Sequence, residues 1–268
     1  MRREDYPWLQ ALTTPPLLSN NARRLAQEGV DPEAAERGVA AIERALAEEG
    51  PLVRAELRER VAAAGVRTEG QALVHVLMLA SLRGLIVRGP IVDGHHAFVL
   101  ARDWVGEPAP VDRERALAEL ARRFLAGHGP AGAPDLARWA GIRLGDARAG
   151  LAAIASELEP AGDDDLVDLA ARGEGRPELP PPRLLGPWDP VLLGWTSREA
   201  LLAGHAGVVT MNGVFRPFAL VRGRAAATWR LVGGEVELEP LTRLNRAERA
   251  ALEAEAEDAL RFLSPPGG

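Results

Sequence analysis

Four arginines offer the clearest chemistry. Arg216, Arg222, Arg224 and Arg230 fall within NGVFRPFALVRGRAAATWR (212–230), and no acidic residue occurs from Ala200 to Gly234, in a chain whose formal net charge is −6. A guanidinium is a rigid fork of donors matched to phosphate oxygens, and a two-stranded ribbon carrying such side chains can lie in a nucleic-acid groove. Such side chains suit an anion-binding surface, although strand alternation allows some of the four to form internal salt bridges. Arg83, His95 and His96 are further DNA-binding candidates. Adjacent histidines on a strand point to opposite faces, which suits a surface or phosphate-proximal role better than joint chelation of an ion. Asp189, in GPWDP, is the weak catalytic candidate: it can orient a water or an arginine, or cap the turn that follows.

Other chemistries are poorly served. The chain has no cysteine, so disulfides, thiol nucleophiles and cysteine-ligated metals are excluded and a reducing cytoplasm is the simple location. Asp163, Asp164 and Asp165 form the one run resembling a metal site, but consecutive carboxylates in a turn are ordinarily solvated, and no metal or cofactor is expected. Phosphate-loop, GxSxG and HExxH signatures are missing from the sequence. No segment has the uninterrupted apolar length of a membrane span. All 32 basic residues are arginine, in a composition rich in Ala, Gly and Pro, so their placement carries more information than their number. Between Glu157 and Glu178, eight carboxylates face only Arg172 and Arg176, a local excess equal to the charge of the whole chain. The remainder is neutral on average and free to carry anion-binding surfaces.

The elements that must position these residues show an internal repeat. RALAEEGPLVRAELRERVAAAG (44–65) aligns on RFLAGHGPAGAPDLARWAGIRL (123–144) at an offset of 79, placing Leu46, Gly50, Pro51 and Leu57 on Leu125, Gly129, Pro130 and Leu136. Each copy opens with an amphipathic helix, capped by Asp31 before Pro32 in one and by Asp112 in the other, and each helix stops at Gly-Pro. A second, short helix follows. A third helix is expected over 69–83 with Thr68 as its cap, then strands LIVRG and HAFVLA; in the second copy the third helix is expected over 144–156 and the hairpin is LEPAGDDDLVDLA. Three helices closed by a hairpin is the winged-helix arrangement, the second with an acidic wing expected to face away from DNA. The third helix of the first copy offers only Gln71, His75 and Arg83 for base readout, and packing is its expected role. After the Pro-rich GRPELPPPR, PFALVRG, RAAATWRLV and EVELEPL form a meander turning at Arg222-Gly223 and Gly233-Gly234, and Asn245 caps a helix to Phe262.

The fold class expected is α+β, tandem winged-helix (helix-turn-helix) domains with a C-terminal β-rich domain. The division is 1–30, a helical remnant of a further unit able to meet a protein partner; 31–108; 109–174; and 175–268.

RLLGPWDPVLLGWTSREALL (183–202), GVFRPFALVRGRAAATWR (213–230) and EVELEPL (235–241), in that order, together with HGP (128–130) and DLARWAG (135–141), resemble the winged-helix DNA-binding family that includes the AlkZ-like (YcaQ-like) bacterial DNA glycosylases. The resemblance covers essentially the whole chain. It implies tandem winged helices and a β-rich part forming a concave basic surface, with Arg216, Arg222, Arg224 and Arg230 as phosphate and groove contacts on double-stranded DNA, and metal-free excision of alkylated or crosslinked bases. It also implies a glutamine-x-glutamine catalytic motif in a first winged helix. The glutamines here are Gln10, Gln27 and Gln71, and EDYPWLQALT resembles the region just after that motif. Most of the first unit, with its catalytic pair, is thus expected to be missing. Three readings follow: a DNA-binding relative without catalysis, an active glycosylase of base-excision repair using other groups, or a winged-helix protein-interaction scaffold.

Overall fold

The computed structural model describes residues 2–107, 110–162, 165–172, 178–210 and 212–263. Asp163, Asp164, Glu174, Arg176, the start of the Pro-rich linker and the terminal SPPGG lie outside them. The chain divides into two compact units, Met1–Phe124 with Ala140–Ser156, and Leu125–Trp139 with Glu157–Gly268.

In the first unit, α1 (Tyr6–Thr13) and α2 (Pro15–Gln27) precede α3 (Pro32–Glu49). The expected cap holds: the Ala34 amide donates to Asp31 Oδ1 at 2.7 Å, with Pro32 opening the helix. Gly50, at φ 83°, ends α3 and turns the chain into β1 (Leu52–Val53), α4 (Arg54–Ala63) and α5 (Ala72–Leu82). β2 (Ile86–Val92) and β3 (His95–Leu100) form an antiparallel hairpin, and β1 adds to its other edge, giving the order β1-β3-β2. Ile42, Leu57, Val61, Leu73, Val76 and Ile86 fill the space between helices and sheet, each worth about 2 kcal/mol of burial.

The third helix starts later than expected. Thr68 does not cap it; Gly70, at φ 58°, breaks what would be the first turn, and the Gln71 amide donates instead to Glu28 Oε2 at 3.0 Å. α5 packs against both α2 and α3, and seven of its eleven residues are buried. The Asn21 side chain, itself buried, donates from Nδ2 to the His75 carbonyl at 3.2 Å, and its Oδ1 lies 3.2 Å from His75 Nδ1. The N-terminal helix pair therefore covers the helix from which a helix-turn-helix protein would read bases. α6 (Ala101–Val105) follows, then α7 (Arg113–His128), whose Asp112 accepts from the Arg115 amide at 3.1 Å as a cap should. α8 spans Ala133–Ala140 and, but for its last residue, belongs to the second unit. α9 (Leu144–Ala153), shorter than the expected 144–156 because a 3-10 turn takes over at Ala155, seats Gly150 on α7 so tightly that a Cβ there would stand 2.7 Å from the Leu117 carbonyl.

In the second unit β4 (Leu158–Pro160) and β5 (Val167–Leu169) pair antiparallel, and Ala131 bridges Val167. Ala131 is the position offset by 79 from Leu52, which bridges β3 in the first copy, so the internal repeat extends to a shared short pairing after the Gly-Pro turn. β6 (Arg183–Leu185), unexpected because only three residues follow the prolines before the next turn, edges a four-stranded sheet ordered β6-β7-β8-β9. α10 (Glu199–Leu202) lies between β6 and the meander β7 (Phe218–Val221), β8 (Arg224–Val232), β9 (Glu235–Pro240). The turns are as expected: Arg222 and Gly223 have φ 52° and 75°, Gly233 and Gly234 59° and 88°, the positive values that two-residue hairpins demand. Among the described residues, one buried cluster gathers around Leu252 of α11 (Arg246–Leu263), Ala219 and Ala227, and another around Leu192, Val208, Phe215 and Phe218. Asn245 and Glu248 cap α11 reciprocally, each side chain accepting from the other's amide at 2.9 Å.

Candidate nucleic-acid interface

The first unit carries a basic cleft of about 740 Å³ at its hairpin, lined by Arg54, Arg58, Arg88, His95, His96 and Phe98 among others. Arg54 and Arg58 stand one turn apart on α4 and share a face. Arg88 reaches the cleft from β2, paired in register with Phe98, and the ladder slips between Arg88 and Ile91. The two histidines, expected on opposite faces of the strand, both line this one cleft: they sit beside the Asp93-Gly94 turn, where φ is 47° and 76° and the hairpin departs from regular pleating. Among the described residues, no carboxylate pairs with Arg54, Arg58 or Arg88, and all three are exposed. The cleft's Glu59 lies 3.3 Å from Arg60 instead. Three solvated guanidiniums converging on one hollow make a seat for phosphate oxygens.

Arg83 is not part of it. Its guanidinium forks onto Glu36 at 2.7 and 2.5 Å, which holds the Glu36 carboxyl below the usual carboxylate range and raises the arginine.

The four hairpin arginines separate into two groups. Arg222 and Arg224 line a cleft of about 520 Å³ with Arg243 and His205, but Arg222 Nη2 is 2.5 Å from Glu248 Oε1. Arg216 and Arg230 line another hollow with Glu237 and Glu239, and Arg230 pairs with Glu237 at 2.6 Å. Internal salt bridges, the alternative left open by strand alternation, thus engage two of the four.

Asp189 caps: its Oδ1 accepts from the Val191 amide at 3.0 Å, opening the 3-10 turn Pro190–Leu192. The motif segments around it converge. Asp135, buried, accepts from the Gly132 amide at 2.9 Å and from both the amide and hydroxyl of Thr196 at 2.7 Å. Trp195 donates to the His128 carbonyl at 3.1 Å, and the His128 ring lies 5.3 and 5.4 Å from Trp139 and Trp195. Arg198 donates through Nε to the Leu192 carbonyl at 2.6 Å and stands over Phe215 at 5.1 Å; burial, then Arg138, lowers its pKa. HGP, DLARWAG and LLGWTSR are therefore bound to one another by hydrogen bonds and ring contacts. Among the described residues no group of three or more His, Cys, Asp or Glu could hold a metal ion, and no helix is long and apolar enough to cross a membrane.

Sequence reasoning missed Arg54, Arg58, Arg88, Arg243 and His205. The spacing of Arg54 and Arg58 was a usable signal, but nothing local joins them to Arg88.

The model of the DNA glycosylase AlkZ-like family matches residues 1–262, and the chain belongs to this family. In structure it is similar to the DNA glycosylase AlkZ of Streptomyces sahachiroi, with a TM-score of 0.79 and 23% sequence identity over 97% of this chain and 75% of that one. That likeness establishes the fold. A search of curated proteins finds no match. Because the family match spans essentially the whole chain, it gives no support to the expectation that a catalytic part is missing.

Proposed function

We propose that this chain binds double-stranded DNA, damaged duplexes included, mainly through phosphates. In this reading residues 31–108 and 109–174 act as tandem winged-helix modules and 175–268 as a β-rich third part. The observation that carries it is the cleft of Arg54, Arg58 and Arg88, three exposed guanidiniums without a carboxylate partner among the described residues. Membership of a glycosylase family supports a role in DNA repair. The reading is one of binding: Asp189, the acid expected for catalysis, is engaged as a cap.

The test is fluorescence anisotropy on a labelled duplex across a salt series, beside an Arg54→Ala/Arg58→Ala/Arg88→Ala variant. Affinity should fall linearly in log salt, and the slope should be shallower in the variant by up to about 0.9 per lost phosphate contact. No binding at low salt would sink the reading and favour the protein-interaction scaffold. Abasic product from an alkylated duplex would instead establish an active glycosylase.

A further inference from the structure

We infer that Trp188 is a stacking platform for a nucleobase that has left the duplex stack, an inference that rests on the DNA-binding reading. Trp188 has φ 63°, a left-handed conformation that is a genuine outlier for a bulky side chain. Such strain persists only where the surroundings hold it in place. Here they do: Pro187 and Pro190 flank the residue pair Trp188-Asp189, and the Asp189 side chain fastens the following turn. The result is an indole more than half exposed, at 52%, yet not loose. Its ring lies 4.4 Å from Phe215 at an interplanar angle of 34°. Phe215 is itself buried and carries the Arg198 guanidinium, which is anchored to the Leu192 carbonyl. One side of the indole thus rests on a fixed support and the remainder meets solvent.

The surroundings favour a polyanion over an apolar protein partner. The exposed Arg216 follows Phe215 directly and no carboxylate pairs with it among the described residues, though Glu237 and Glu239 line the hollow it shares, while the neighbouring Asp189 carboxylate is engaged by the Val191 amide. A rigid exposed aromatic face beside cationic side chains is the combination that holds single-stranded or extruded bases, because every base has a π-face while its phosphate answers the charge. A base inside an intact duplex has no free face to offer, so the platform discriminates for duplexes with an unpaired base.

The experiment compares an intact duplex with the same duplex carrying one bulged 2-aminopurine. The wild-type chain should prefer the bulged duplex by about fivefold or more, with 2-aminopurine fluorescence changing on binding. Trp188→Asn and Trp188→Gly tolerate positive φ but have nothing to stack, and should bind intact duplex as the wild type does while losing the preference. Trp188→Phe should keep most of it. A wild type without preference, or a preference that survives in both Trp188→Asn and Trp188→Gly, overturns the platform while leaving the DNA reading intact. Failure of the wild type to bind either duplex overturns both. A thermal midpoint in the Asn and Gly variants close to that of the wild type shows that any loss is not unfolding.

Discussion

Arg222 and Glu248 are locked together across the second unit, guanidinium to carboxylate at 2.5 Å, although Arg222 stands at the tip of the hairpin that its sequence marks as a phosphate contact. The same carboxylate accepts the Asn245 amide through its other oxygen and so caps α11. One acid holds both a helix terminus and a hairpin tip.

Glu248→Gln separates those duties, since glutamine can still close a capping box but cannot neutralise an arginine. Duplex affinity at low salt should rise by about two- to threefold, and the salt slope should steepen by up to about one phosphate contact. Arg222→Ala in the wild-type background should change either quantity little. An affinity unaltered by Glu248→Gln would remove Arg222 from the interface.

Asp135 and Asp189 both sit in recognisable motifs, yet their bonding differs. Asp135→Ala strands the Thr196 amide, the Thr196 hydroxyl and the Gly132 amide, and should cost about 3 kcal/mol in urea denaturation. Asp189→Ala removes one capping bond and should cost about 1 kcal/mol without altering duplex affinity.

The buried Asp5 accepts from Arg123 at 2.7 Å and from the Trp8 indole at 3.3 Å, and the Arg123 hydrogen bond foremost holds its carboxyl below the ordinary value of 3.8. A depressed carboxylate stabilises the fold above its unfolded pKa and loses that contribution as pH falls through the folded one. The stability gap between the wild type and Asp5→Asn should therefore be constant above about pH 5 and close below pH 4. Thermal midpoints measured from pH 3 to 7 would show it; a gap that persists at the acid end would contradict the assignment.

Gly194 and Gly145 separate packing from backbone freedom. A Cβ on Gly194 would collide with the His128 ring, whereas one on Gly145 meets nothing within 4 Å. Gly194→Ala should destabilise by about 2 kcal/mol, and Gly145→Ala, inside α9, should stabilise by about 0.5 kcal/mol. Chemical denaturation of the two variants side by side reads both.

Much of this was legible in the residues because the signals were local. Asp31, Asp112 and Asn245 announced helix starts through a cap and its first turn, and Arg222-Gly223 and Gly233-Gly234 announced hairpins through the φ they permit. What escaped depended on distant partners. The helix pair over α5 is settled by Asn21 meeting His75 and Glu28 meeting the Gln71 amide, pairings that no periodicity encodes. The hairpin's charge excess was real, but its meaning changed once Glu237 and Glu248 were found beside Arg230 and Arg222. The arginine cleft draws on α4 and β2 and became visible only when the chain closed.

The cover on α5 bears on what kind of reader such a protein can be. With Leu73, Val76, Leu77 and Ala80 buried and α2 lying across it, this helix cannot enter a major groove without first giving up its own core. A ligand held by Arg54, Arg58 and Arg88 would be gripped along its sugar–phosphate track, the one feature that is the same at every step of the genome. Such a grip is blind to the letters of the text and lets the protein stop anywhere along it.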